Sequence, residues 1–350
     1  IRAASRAACR EGRFHDAAAL VWATYPYAFA RTRYEIVEWA AAVVAGLGDD
    51  LGELGPELVT IVGWGHGVRG DVAASSTYAR RAVELARAQG RDRYLPHRLL
   101  IVGAILRGDG EAAAAEVQEA RASLGGTSDP RAAIDLLGFE AFTMAISGRR
   151  QEALACIDEA LSNARAVGNP SQIAWCLYEA GVIEAGHDNA AAAVALDQAL
   201  ELAELVENRY MTGIILMIRT RVAAESDDDV GSLTGFSDML GHWYRLANWA
   251  NLGNAIRLFA SFLASRGHDE SAAIVLGGLR GISERSPESL QVREEDDALS
   301  SLQERLSHRA LETHTTRGAA FDMRALVEYC QGEIGRLRAD LDDQTAVSAR

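Results

Sequence analysis

From residue 135 to 169 apolar positions recur at helical spacing on both sides of a single glycine, Gly148. The second half carries Ala153, Ile157, Ala160 and Leu161, an i, i+4, i+7, i+8 stripe. This spacing predicts two amphipathic helices, because positions three and four apart share one face. Glycine between them takes a left-handed turn without steric cost. Neither helix can bury its stripe alone, so the pair implies neighbours, and the small Ala153 and Ala160 imply close ones.

Copies of the unit are present. Gly70, Gly108, Gly148, Gly186 and Gly267 are separated by 38, 40, 38 and 81 residues, the last close to two periods. Ser75, Ala79 and Ala82 follow the first of these glycines, and Ala113, Val117 and Ala120 the second. Ala191 and Ala195 follow Gly186, with Ala199 one residue out of phase; Ala272, Leu276 and Leu279 follow Gly267. The missing turn falls near residue 226, where Asp229 or Ser226 is expected to cap a helix. A fixed period of this size predicts an all-α solenoid of antiparallel helix hairpins.

Towards the N-terminus a hairpin is expected to turn at Gly12, followed by an extra helix over 34–45 and a loop over 48–56. Pro56, Pro130 and Pro170 suit first helical positions. Residues 63–67, GWGHG, read as a close helix–helix contact. After Pro287 the period is lost, and Asp322 is expected to cap a final helix that buries Leu326, Val327 and Cys330. The expected organisation is a repeat solenoid over 1–286, capping helices over 287–339 and a disordered tail over 340–350.

The hairpins resemble tetratricopeptide repeats of the longer, roughly forty-residue kind. The turn glycine, the small residue five positions later and another seven beyond carry the resemblance, and Trp175 falls where that repeat favours a large side chain. The segments RYEIVEWAAAVV, TIVGWGHGVRGDVAASSTYARRAVELA and RGAAFDMRALVEYC are similar to the repeat region of large actinobacterial regulators. In those, an adenylate cyclase or LuxR-like domain and an NB-ARC-like ATPase precede the repeats. The resemblance implies an upstream ATPase or effector domain of the same polypeptide as partner. A chain beginning with Ile is expected to be a piece of something longer.

Composition narrows the chemistry. Of 350 residues 49% are hydrophobic, enough for an extended core. The net charge of -14 argues against a surface that tracks phosphates, so no direct nucleic-acid partner is expected. All 35 basic residues are Arg, which removes Walker, Schiff-base and kinase lysines from consideration. Cys9, Cys156, Cys176 and Cys330 form no CxxC pair, so buried reduced thiols are expected, and a cytoplasmic location with them. The apolar runs are too short to span a bilayer, and no membrane partner is expected.

Catalytic and metal constellations are thin. His308, Glu312 and His314 do not follow the HExxH order. The acidic runs 227–229 and 294–297 read as a turn and a solvated helix face. No catalytic residue, metal site or cofactor is expected. The recognition candidates are instead Trp175, Tyr178 and Arg219 on first helices, Arg221, and Tyr244, Trp249 and Asn254 at one inter-helix corner, which combine flat apolar area with hydrogen-bonding groups. Trp243 and Asn251 lie at the same corner. The reading is a module that senses an unknown small-molecule or protein ligand for a larger regulator. A freestanding interaction scaffold and an enzyme on a solenoid frame remain the alternatives.

Overall fold

The computed structural model describes residues 1–90, 94–107, 109–124, 130–285 and 297–348. Eighteen α-helices and no strand occur among them. The chain is an all-α solenoid of stacked helix hairpins of the tetratricopeptide-like kind, formed by two compact units. The first comprises Ile1–Gly67 with Val72–Ile215, the second Val68–Asp71 with Leu216–Arg350. The expected boundary at 286/287 falls on residues outside the described set, as does Gly108.

In the first unit α1 (Arg2–Arg10) and α2 (Phe14–Ala30) turn at Gly12, and α3 (Glu35–Leu47) is the extra helix. Pro26 lies inside α2 without ending it. Hairpins follow from α4 (Gly55–Val68) and α5 (Val72–Ala88), α6 (Tyr94–Leu106) and α7 (Gly110–Ser123), α8 (Pro130–Ile146) and α9 (Arg150–Val167), and α10 (Pro170–Glu184) and α11 (Asn189–Leu205). Next, α12 (Arg209–Glu225) runs across the division between units. The second unit continues with α13 (Asp229–Arg245), α14 (Trp249–Ser265), α15 (Asp269–Arg285), α16 (Asp297–Arg305), α17 (His308–Ala319) and α18 (Met323–Ser348).

Several turns share one construction. Backbone N–H groups of Asn208, Asp228, Asn248 and His268 donate to the carbonyls five residues back, at Ala203, Ala223, Trp243 and Leu263. This 6→1 bond closes a helix when the intervening residue is left-handed. Gly148 and Gly267 take that conformation at φ +77°, whereas Gly186, at φ +80°, sits in a wider turn in which the Asp188 N–H donates to the Glu184 carbonyl. Where glycine is missing, Glu207, Asp227 and Ala247 adopt it at φ +51°, +56° and +50°. The next residue then caps the following helix: Asn208 Oδ1 accepts from the N–H of Met211, Asp228 from Gly231 and Asn248 from Asn251. The cap near residue 226 is therefore Asp228, and neither Asp229 nor Ser226, because the left-handed Asp227 places its neighbour at the helix start.

Buried stripes are phased on this cap residue. Four residues after Arg149 comes Ala153, and Ala153, Ile157, Ala160 and Ala164 are buried. After Gly186 the turn holds one more residue, with Asp188 as the cap, and Ala192, Leu196, Ala199 and Ala203 are buried. Ala199 is thus in phase, and Ala191 and Ala195 are displaced from the stripe. The GWGHG segment is a close contact as expected. A Cβ added at Gly63 would lie 2.9 Å from Tyr78 Cβ and 3.2 Å from the Ser75 carbonyl oxygen, so α4 approaches α5 through a missing side chain.

In the second unit the core centres on Trp243, Phe236 and Phe259, all fully buried, with the latter two rings 5.1 Å apart. Asp322 accepts from the N–H of Ala325 at 2.8 Å and starts α18, which buries Leu326, Val327 and Cys330. The tail expected after Ala339 is helical through Ser348. No proline or glycine interrupts 336–348, and the Arg336–Asp340 pair at 3.0 Å spans a turn across the expected end.

Candidate ligand-binding site

Large and charged side chains of the first unit meet on the face where α2, α4, α6, α8, α10 and α12 converge. Arg98, on α6, is the centre. Its guanidinium carbon lies 5.3 Å from the ring centroid of Phe29 and 5.9 Å from that of Trp175, within cation–π range of both. Its Nε is 3.7 Å from Asp135 on α8, whose carboxylate also accepts from the Tyr94 hydroxyl at 3.4 Å. Glu179, on α10, lies in the field of both Asp135 and Arg98.

An arc of rings surrounds these charges. Trp64 contacts Tyr25, Phe29 and Tyr34 at centroid distances of 6.0, 5.3 and 5.6 Å. Phe29 meets Tyr210 at 5.1 Å, Tyr210 meets Trp175 at 6.5 Å, and Trp175 meets Tyr178 edge-on at 5.7 Å. Beside the arc Arg31 and Glu207 form an ion pair that links the end of α2 to the turn before α12.

Burial sets the electrostatics. It is the main cause holding Glu179 well above the ordinary carboxylate range; Asp135 adds to the rise, and Arg98 opposes it. The Tyr25 phenol is pushed up to about 12 by burial, with Arg98 opposing. Tyr94 rises for the same reason, reinforced by Asp135. Burial alone would lower Arg98, but Asp135 and the phenols outweigh it, so it is a permanent cation. The Arg98 and Asp135 side chains keep 21% and 30% of their surface exposed, which leaves the centre within reach of a ligand.

Of the seven residues expected from the sequence, Trp175 and Tyr178 belong to this face. The other five belong to the second unit. Tyr244 and Trp249 make an edge-on contact at 6.1 Å. Asn254 accepts from Arg257 at 2.8 Å, Arg221 lies 3.6 Å from Glu225, and Arg219 is exposed. Trp243 is core. Arg98, Asp135 and Glu179 were not among the candidates. Their signal is a charged residue inside an otherwise apolar first helix, as in PHRLLIVGA, AAIDLLGF and CLYEAGVIEA.

Elsewhere, His308 is exposed on α17, 4.0 Å from Glu312, and His314 faces Glu270 at 3.9 Å. No group of three metal-ligating side chains occurs among the described residues. The four cysteines are free; burial raises the Cys156 thiol to about 11 and Cys176 to about 12. An open cleft of about 420 Å³ is lined by Asp49, Asp50, Glu53 and Gln89. No described helix is long and apolar enough to cross a membrane.

No protein-family model matches the chain, and comparison with curated proteins gives no match. Among solved structures the chain is similar to a signal transduction ATPase with numerous domains, carrying a tetratricopeptide repeat sensor, from Pyrococcus horikoshii. The TM-score is 0.47 at 12% identity, over 95% of this chain and 49% of that one. The chain therefore spans about half the length of that protein.

Proposed function

We propose that the chain is a sensing module of a larger regulator, acting by binding and not by catalysis, and that the inner face of the first unit takes the ligand. The observation behind this reading is the setting of Arg98, stacked between two aromatic rings and beside two carboxylates, on a face that stays partly open. Flat rings with a few fixed charges are the mix that recognises a small molecule or a peptide side chain. The same rings join α2 to α12 through Phe29 and Tyr210. A ligand entering among them would favour one closure of the unit over another, a population shift passed to an effector domain of the same polypeptide. The acidity of the chain disfavours nucleic acid.

The test is to exchange Arg98→Ala and Trp175→Ala in the polypeptide that carries the chain and to measure its signal-dependent output. Loss of response with helicity and melting intact supports the reading. An unchanged response in both would move recognition to Arg219, Tyr244 and Trp249 in the second unit.

A further inference from the structure

Glu179 stands out among the buried polar groups of the first unit. Only 7% of it is exposed, and burial is the largest influence on its carboxylate. The space it fills is made by Gly138 on α8: a Cβ there would overlap the carboxylate. Two charges act on it, Asp135 and Arg98. Arg98 is already paired with Asp135 and held between Phe29 and Trp175, so one cation faces two carboxylates.

A carboxylate largely withdrawn from water and set near a second carboxylate is unfavourable, and protonation or a cation relieves it. Trp175 lies four residues before Glu179 on α10, hence one turn away on the same face. Its ring already accepts one guanidinium at 5.9 Å, and the Tyr178 ring stands nearly perpendicular to it at 5.7 Å. A ligand cation placed beside Glu179 would find a carboxylate and an aromatic surface together. An anionic ligand would meet the two carboxylates, with the single arginine already engaged.

We propose that Glu179 anchors a cationic group, and that the inner face takes an organic amine or guanidine carried on an apolar or aromatic body. This rests on the reading of that face as the ligand site and names the ligand class.

The experiment is calorimetric titration of the chain with an amine panel of tryptamine, phenethylamine, agmatine and spermidine. The neutral tryptophol and the acidic indole-3-propionate serve as matched analogues. The expected result is saturable binding of at least one amine, about tenfold or more tighter than its neutral analogue, and a similar loss in Glu179→Gln. Gln is nearly isosteric, and a melting curve at or above the parent's shows that the variant folds. Glu179→Asp, which keeps the charge, should retain part of the affinity. If tryptophol or indole-3-propionate binds as well as the amines and Glu179→Gln changes nothing, the cation anchor is overturned while the inner face stands as a site. If no amine binds, the anchor is likewise overturned, and the site itself is judged by the Arg98→Ala and Trp175→Ala responses.

Discussion

Phe29 on α2 and Tyr210 on α12 bring their ring centroids within 5.1 Å, although nine helices lie between them in the chain. The first unit thus returns to its own beginning, and the Arg31–Glu207 pair stands beside the contact. This closure turns a row of hairpins into a wall around Arg98. Phe29 touches Trp64, Tyr210 and the Arg98 guanidinium at once, so it ties three other helices to α2.

Phe29→Ala should therefore destabilise the first unit by about 1–3 kcal/mol, below the range for a fully buried ring because Phe29 is only half-buried. Urea unfolding gives the magnitude, and hydrogen exchange should speed up at both α2 and α12. Faster exchange at α2 alone would mean that the closure contributes nothing.

The stripe of α9 gives a packing test. Ala153 and Ala160 are fully buried. Replacing either by Leu forces extra methylenes into a filled contact and should cost about 1–3 kcal/mol. Denaturation midpoints equal to the parent's would show that the face is loosely packed.

Two turns predict opposite signs. Ala247 is held at φ +50°, where an L side chain costs roughly 1–2 kcal/mol and glycine costs nothing sterically. Ala247→Gly should be neutral or stabilise by up to about 1 kcal/mol once glycine's greater freedom in the unfolded chain is subtracted. Gly148 sits at φ +77° with no atom within 4 Å of an added Cβ, so Gly148→Ala should destabilise by about 1–2 kcal/mol through the backbone alone. Thermal melts of the two variants should move in different directions, or Ala247→Gly should not move.

These turns also show what local pattern can and cannot reveal. Gly148, Gly186 and Gly267 announce themselves, and the stripe Ala153, Ile157, Ala160 follows from spacing alone. Glu207 and Ala247 carry no such mark, because their left-handed backbone is imposed by the 6→1 bond and by the cap that follows. Gly63 could be read as a close contact since nothing else explains three glycines in five residues. Trp175 and Tyr178 were legible as flat, polar-tipped side chains on a first helix. Arg98, Asp135 and Glu179 were not, since each interrupts an apolar run singly. They acquire meaning only when α6, α8 and α10 are set side by side. The Phe29–Tyr210 closure is long-range, and periodicity holds no information about it.

The buried carboxylate predicts a pH dependence. Burial first, and Asp135 second, raise Glu179, with Arg98 opposing; Tyr94, which donates to Asp135, Tyr25 and the Cys176 thiol are further titratable groups at the centre. The folded chain then binds a proton that the unfolded chain has released, so this contribution is fully present below the ordinary glutamate value of about 4.3. It is lost as pH rises from there through the raised folded value. Glu179→Gln should remove that decline and, at neutral pH, stabilise the chain by about 1–3 kcal/mol through relief of a desolvated carboxylate. Equal pH slopes for parent and variant in urea unfolding would show that Glu179 is solvated.

On the proposed reading, the inner face of the first unit, and not the second unit, receives the ligand. Hydrogen–deuterium exchange of the chain, with and without a small-metabolite extract, tests it without knowledge of the ligand. Protection is expected in peptides that carry Phe29, Arg98, Asp135, Trp175 to Glu179 and Tyr210, and is abolished in Arg98→Ala. Protection confined to peptides around Tyr244, Trp249 and Asn254, or protection that survives Arg98→Ala unchanged, would contradict it.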